Sequence, residues 1–151
     1  MRYRIAVGAD HRGFVLKQQL LTQTEFEGVS VEWHDVGTFS PERTDYPLFT
    51  HRVVKRILQQ EADLGILLCG SGIGVSIAAN RFKTIYAGLV WNEQVARAAK
   101  EDDNVNVLVI PADYLTSEQA LACITAWLTS SFKEGRYQER LDMVDSFHND
   151  F

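Results

Sequence analysis

The sequence predicts an α/β fold in which a doubly wound, mostly parallel and Rossmann-like sheet of five strands carries helices on both faces and ends in a C-terminal helix. Short apolar runs alternate with amphipathic segments along the chain, which is typical of repeated strand–helix units. The run at 63–70, DLGILLCG, is apolar enough to be buried on both faces of a parallel sheet. The chain has 151 residues without a linker-like or repetitive stretch, so residues 1–151 are expected to form a single domain.

Each predicted element follows from its own local pattern. The predicted strands cover 3–10, 29–37, 63–70, 84–91 and 105–112, and the predicted helices cover 13–23, 46–60, 74–82, 92–102, 116–127 and 134–147. In the second helix, for example, Phe49, Val53 and Ile57 recur at helical spacing. Because ligands of such sheets bind beyond the carboxyl ends of the strands, chemistry is expected in the residues that follow each strand.

Charge and composition restrict the possible partners. The formal net charge is -5 and no basic tract is present, which argues against nucleic acid but leaves room for a small phosphorylated ligand. No apolar run reaches membrane-spanning length, and the N-terminal run is too short for a signal peptide. We therefore expect a cytoplasmic location, no membrane partner, and free thiols at Cys69 and Cys123.

The stretch CGSGIG at 69–74 is the most unusual feature of the sequence. Gly70, Gly72 and Gly74 allow the backbone to turn sharply and to approach a ligand closely, directly before a helix whose free N–H groups favour negative charge. Neither the dinucleotide-binding fingerprint nor the P-loop matches this spacing. The simpler alternative is a tight strand-to-helix turn without a ligand.

Cys69 stands at the end of a strand and before a helix N-terminus, a position that favours the thiolate. A thiolate there could act as a base or a nucleophile. The alternative is a buried structural cysteine, and Cys123, within an apolar helix beside Ile124 and Trp127, is expected to be one.

Four motifs in order along the chain carry a resemblance to a known family. They are GADHRGF, ERTDYP, CGSGIGVSIAAN and EGRYQER, and together they resemble the type B ribose-5-phosphate isomerases, a family that includes the subunits of galactose-6-phosphate isomerase. The resemblance implies isomerisation of a sugar phosphate, ribose 5-phosphate to ribulose 5-phosphate in the pentose phosphate pathway, through a cis-enediol. It implies no cofactor and no metal, because the carbonyl of the substrate accepts the electrons.

The resemblance also implies roles for the residues of the glycine-rich loop. Cys69 is the base that moves the proton between C2 and C1. Ser71 and four backbone N–H groups stabilise the enediolate; these belong to Gly70, Gly72, Ile73 and Gly74.

Further implied roles concern the sugar and its phosphate. Asp10 and His11 hold the sugar and the phosphate, and Tyr46 lines the sugar pocket, although Asp10 could simply cap the first helix. Arg136 and Arg140, four residues apart on one helix face, clamp the phosphate, unless they pair with nearby carboxylates. In the family these arginines and the equivalent of His11 act across a subunit interface, so the resemblance implies a homodimer or tetramer.

The chain departs from the family at one motif. After the fourth helix the family reads Arg-x-His-Asn-Asp, in which the histidine opens the sugar ring and the asparagine helps to hold the enediolate. Here Asp102 and Asp103 occupy these two positions, unless a one-residue shift aligns Asn104 with the asparagine. An ionised carboxylate accepts a proton but cannot return one at neutral pH as an imidazole can. The alternatives are slow ring opening, a linear substrate, a hexose 6-phosphate as substrate, or a non-catalytic sugar-phosphate-binding protein.

Overall fold

The computed structural model describes residues 1–150 and contains, over that range, one mixed sheet between two layers of helices. Its strands are β1 Arg2–Ala9, β2 Glu25–Phe26, β3 Val29–Asp35, β4 Leu64–Cys69, β5 Ala87–Leu89 and β6 Val107–Pro111. Its helices are α1 Phe14–Leu20, α2 Tyr46–Leu58, α3 Ile73–Ala79, α4 Glu93–Asp103, α5 Ser117–Leu128 and α6 Arg136–Ser146, followed by a 3₁₀ turn at Phe147–Asn149.

The strand order β2-β3-β1-β4-β6-β5 confirms the predicted doubly wound fold. All pairings are parallel except that of β2 with β3. The predicted count of five strands was one too low, because β2 has only two residues and is too short to show the alternation of apolar and polar side chains that marks a strand. The tight turn that joins it to β3 places Glu27 and Gly28 at positive φ.

Two apolar layers hold the helices against the sheet. On one face α1 and α5 contribute Leu20, Ile124 and the fully buried Trp127, whose indole N–H donates to the carbonyl of Val105 at 2.9 Å. On the other face α2 and α3 cover the sheet through a second apolar cluster. The β4 strand between these layers is buried at every residue, as its apolar sequence predicted.

A buried ion pair joins α1 to the end of β3. The side chain of Lys17 is fully buried, and its ammonium lies 2.7 Å from the carboxylate of Asp35. The rings of Phe14 and Phe39 lie within 6 Å of the same ammonium. The other oxygen of Asp35 accepts from the N–H of Gly37, so the pair also fixes the start of the loop that leads to α2.

Parallel pairing brings the carboxyl ends of β1, β3, β4, β5 and β6 to one edge of the sheet, where Cys69 lies opposite Pro111. We call this the carboxyl edge. Helix α4 leaves the carboxyl edge after β5 and ends at Asp103, beside the start of β6. The C-terminal segment also lies there, since the N–H of Lys133 donates to the carbonyl of Glu101 at 2.9 Å. We call this second location the amino edge.

Candidate active site

The structure divides the predicted site residues between the two edges of the sheet. Asp10, His11, Tyr46 and the loop 69–74 lie at the carboxyl edge. The remaining four predicted residues lie at the amino edge; they are Asp102, Asp103, Arg136 and Arg140. The β4 strand, with six residues at about 3.3 Å each, separates the two edges by about 20 Å, a distance that one arginine side chain cannot cover.

Cys69 is buried, and its sulfur accepts a hydrogen bond from the N–H of Gly72 at 3.1 Å. A hydrogen bond to sulfur stabilises a thiolate more than a thiol. Gly72 has a φ of +76°, which turns its N–H back toward the sulfur and which residues with a side chain rarely adopt. By contrast, burial in α5 raises the pKa of the Cys123 thiol to about 11, so this cysteine stays protonated.

The three glycines of the loop are required by packing as well as by any ligand. A Cβ atom at Gly70 would overlap the guanidinium of Arg12. A Cβ atom at Gly72 would lie 2.5 Å from Leu89, and one at Gly74 would lie 2.6 Å from the ring of Tyr46. The turn without a ligand therefore accounts for the glycines too, and the case for chemistry rests on Cys69 and on the free donors beside it.

The loop uses some of its predicted N–H donors internally. The Gly72 N–H is taken by Cys69, and the Ile73 N–H donates to the hydroxyl oxygen of Ser71 at 3.2 Å. Within residues 1–150 the N–H groups of Gly70, Ser71 and Gly74 have no acceptor. These three groups are the donors that the loop can offer to an oxyanion as it stands.

Asp10 and His11 are both held by neighbouring backbone. The buried carboxylate of Asp10 accepts from the N–H of Arg12 at 3.0 Å and from that of Gly13 at 3.2 Å, so it stabilises the turn before α1; the N-cap of α1 is Gly13, and no side chain caps the helix. The His11 ring places Nδ1 3.3 Å from both the N–H and the carbonyl oxygen of Thr44. The ring is therefore fixed through Nδ1, and Nε2 has no partner in the part of the chain that the structure describes.

At the amino edge, α4 ends in a carboxylate pair with unequal surroundings. Asp102 lies 3.0 Å from the ammonium of Lys133. The pKa of Asp103 is raised, first by burial and then by the negative charge of Asp102, although the nearby Arg140 opposes the shift. Asp102 is thus paired with a cation, whereas Asp103 holds a proton more readily than an ordinary aspartate.

Arg136 and Arg140 form no ion pair with a carboxylate among residues 1–150, so the predicted alternative of pairing with Glu139 or Asp142 does not occur. Both guanidinium groups lie over the ring of Tyr137, at 5.2 and 5.3 Å from its centre. They remain available to an external anion.

Sequence analysis missed one feature at the carboxyl edge. Arg12 and Asp113 form an ion pair against the glycine-rich loop, and the two residues are 101 positions apart. Arg12 lies three residues after the end of β1, and Asp113 lies two residues after the end of β6. Their positions after two strands are the signal from which both residues could have been predicted at the carboxyl edge.

No group of three or more His, Cys, Asp or Glu side chains is arranged to hold a metal ion within 1–150. In the same range, every helix is too short or too polar to cross a membrane.

Comparisons with known proteins give a consistent result. The sequence model of the ribose/galactose isomerase family matches residues 5–144. Ribose-5-phosphate isomerase B of Escherichia coli is 38% identical over 141 residues, which are 93% of each chain. A ribose 5-phosphate isomerase structure from Thermotoga maritima has 40% identity and a TM-score of 0.89, covering 95% of this chain and 98% of that one. Ribose-5-phosphate isomerase B from Mycoplasma genitalium with bound ribulose-5-phosphate has 31% identity and a TM-score of 0.87, covering 98% of this chain and 97% of that one.

The raised pKa of Asp103 predicts a pH-dependent effect of Asp103→Asn on stability. A carboxyl whose pKa is higher in the folded state destabilises the fold once the pH rises above its ordinary value of about 3.9. Asp103→Asn should therefore raise the melting temperature at about pH 7 and leave it nearly unchanged at about pH 3. Glu25→Gln is the control, because Glu25 is an exposed carboxylate without an ion pair among residues 1–150 and should not stabilise. Equal effects of both variants at neutral pH would contradict the assignment.

Proposed function

The chain belongs to the ribose/galactose isomerase family, and we propose that it interconverts ribose 5-phosphate and ribulose 5-phosphate with Cys69 as the base. It is a sugar-phosphate isomerase, an enzyme that interconverts an aldose and a ketose. The observation that carries the mechanism is the hydrogen bond from the N–H of Gly72 to the sulfur of Cys69, beside three free N–H donors of the same loop. We further propose a cytoplasmic location, where both free thiols stay reduced.

The thiolate removes the proton from C2 of the open-chain aldose. The electron pair of that C–H bond forms the C1–C2 double bond, and the electrons of the carbonyl move onto O1 to give an enediolate. The proton of the C2 hydroxyl passes to O1, so that O1 becomes a hydroxyl and the negative charge moves to O2. The same sulfur then returns its proton to C1 as O2 becomes the new carbonyl, and the thiolate is regenerated. The N–H groups of Ser71 and Gly74 are placed to donate to the negatively charged oxygen.

A complete site needs a second copy of the chain. The arginines proposed to bind phosphate lie about 20 Å from Cys69, at the opposite edge of the sheet. His11 does not need the second copy, because it already lies at the carboxyl edge with Cys69. We therefore propose a homodimer, or a tetramer built from such dimers, in which Arg136 and Arg140 of one copy reach the loop of the other.

Exposed apolar side chains support this assembly. Ile73 and Ile77 on α3, next to the glycine-rich loop, are each more than half exposed, and so are Met143 on α6 and Phe147 after it. Burial of these side chains between two copies would bring the loop and the arginine-bearing helix into one interface.

Ring opening is the step for which this site is least well equipped. It requires a group that takes a proton from the anomeric hydroxyl and delivers one to the ring oxygen. Asp102 occupies the position of the family's histidine and contacts Lys133, and a carboxyl group lacks the ability of an imidazole both to accept and to deliver a proton near neutral pH. We propose that ring opening, and not the proton shift at Cys69, limits turnover of cyclic sugars.

Cys69→Ala is expected to lower isomerase activity on ribose 5-phosphate by at least about 10²-fold, because no other group at the loop can carry the proton. Cys123→Ala is the control, since its protonated thiol lies in the core and should leave turnover nearly unchanged. Activity is measured as ribulose 5-phosphate formed by folded protein. If Cys69→Ala keeps the activity of the parent protein, the proposed base is wrong.

The shared site can be tested by mixing inactive variants. One protein carries Cys69→Ala and the other carries Arg136→Ala with Arg140→Ala. After subunit exchange, half of the dimers are mixed, and each has one intact site, so about a quarter of the parent activity should return. A mixture of Cys69→Ala with Cys69→Ser is the control and should stay inactive. No recovery in the first mixture, with exchange verified by mass, would place the arginines outside a shared site.

Asp102→His should raise the rate on ribose 5-phosphate, by up to about 10²-fold if general acid–base help is restored. The rate on a four-carbon aldose 4-phosphate should change little, because its phosphate blocks the hydroxyl that would close the ring. Steady-state kinetics of both substrates give the comparison, with Asp142→His as a control outside α4. An equal gain on both substrates, or no gain on either, would contradict the limit on ring opening.

A further inference from the structure

An ion pair that the proposed mechanism does not use lies directly on the glycine-rich loop. The guanidinium of Arg12, from the loop after β1, contacts the carboxylate of Asp113, from the loop after β6. The pair fills the space that a side chain at Gly70 would occupy. The guanidinium therefore lies against Gly70, the residue that follows Cys69, on the same chain and at the same edge.

The contact with Asp113 uses only one nitrogen atom of the Arg12 guanidinium. Its Nη2 binds Asp113, while Nε and Nη1 have no acceptor within residues 1–150, and the side chain remains 55% exposed. The backbone N–H of Arg12 binds the buried carboxylate of Asp10, which fixes the base of the side chain. A guanidinium that is fixed at both ends and free along one side is well suited to a planar, two-point contact with an anion.

The neighbours of Arg12 point to a phosphate as that anion. His11 precedes it, and Nε2 of that imidazole has no partner within residues 1–150. A sugar phosphate carries a charge of about −1.5 to −2 near neutral pH, more than the single charge of a carboxylate. A phosphate arriving at this edge therefore competes well with Asp113 for the guanidinium.

We propose that Arg12 is a phosphate-binding residue that sets specificity for phosphorylated sugars, and that Asp113 positions its guanidinium over Gly70 when the site is empty. The proposal rests on the proposed function, and it adds a cation from the same chain as Cys69 to the arginines from the second copy. The alternative is that the ion pair only braces the loop.

The experiment compares the binding of inorganic phosphate, ribose 5-phosphate and ribose by calorimetry. Arg12→Gln should weaken binding of both phosphorylated probes by about 10- to 100-fold and leave ribose binding nearly unchanged. Asp113→Asn should bind them at least as well as the parent protein, because it frees the guanidinium and removes a negative charge. Arg56→Gln is the matched control, since Arg56 is also exposed and paired, with Glu61 at 2.8 Å on the outer side of α2.

A bracing role predicts a different pattern. In that case Arg12→Gln and Asp113→Asn would both weaken all ligands and lower the melting temperature together. The exchange Arg12→Asp with Asp113→Arg returns a guanidinium to the same place and should recover most of the affinity for phosphate lost in Arg12→Gln. Failure of that recovery in a folded protein would overturn the proposal.

The outcomes also separate the two proposals. If the parent protein binds ribose 5-phosphate and Arg12→Gln binds it equally well, the role of Arg12 is wrong while the proposed function stands. If the parent protein binds neither phosphorylated probe, both are wrong.

Discussion

The close approach of three side chains to the loop 69–74 is the steric constraint on which the site depends. Arg12, Leu89 and Tyr46 come from three different parts of the chain, and each occupies the space where a β-carbon of the loop would stand. Because Gly70, Gly72 and Gly74 have none, the loop after β1, strand β5 and helix α2 can close on one turn. The same turn directs the N–H of Gly72 to the sulfur of Cys69. The glycines are therefore required by the packing of the loop, and the turn that they form also makes this hydrogen bond.

The distribution of charge follows from the direction of the chain through the sheet. Helix α4 carries the backbone from the carboxyl edge to the amino edge, and α6 stays near the end of α4. The thiol and its donors are therefore complete within one chain, whereas the arginines without carboxylate partners collect about 20 Å away. A single copy therefore holds the groups proposed for proton transfer and those proposed for phosphate binding at opposite edges of the sheet. This separation is the physical basis of the proposed assembly.

Much of this arrangement could be predicted from the sequence. The features that could not be predicted have no local sequence pattern. The apolar runs predicted every strand except β2, whose two residues are too few to show an alternation. The residues after β1 and β4 were expected at one edge of the sheet, and they lie there together. The pairing of Arg12 with Asp113 could not be predicted from the sequence, because the two residues lie 101 positions apart. A single arginine or aspartate in a loop is common on protein surfaces and does not indicate a partner. The location of Asp102 could have been worked out, since a helix between parallel strands must end at the edge opposite to Cys69.

The two aspartates at the end of α4 show how neighbours decide the chemistry of a position. Asp102 contacts the ammonium of Lys133, a residue far along the chain. Burial and the charge of Asp102 raise the pKa of Asp103, although Arg140 opposes the shift. An imidazole accepts and delivers a proton with one group, whereas these two carboxyls lie in different surroundings, and this difference is the basis of the proposed limit on ring opening. In the proposed mechanism, proton transfer depends on the packing of the glycines around Cys69, and ring opening depends on the surroundings of Asp102. Because these surroundings lie at opposite edges of the sheet, a change in one step would not require a change in the other.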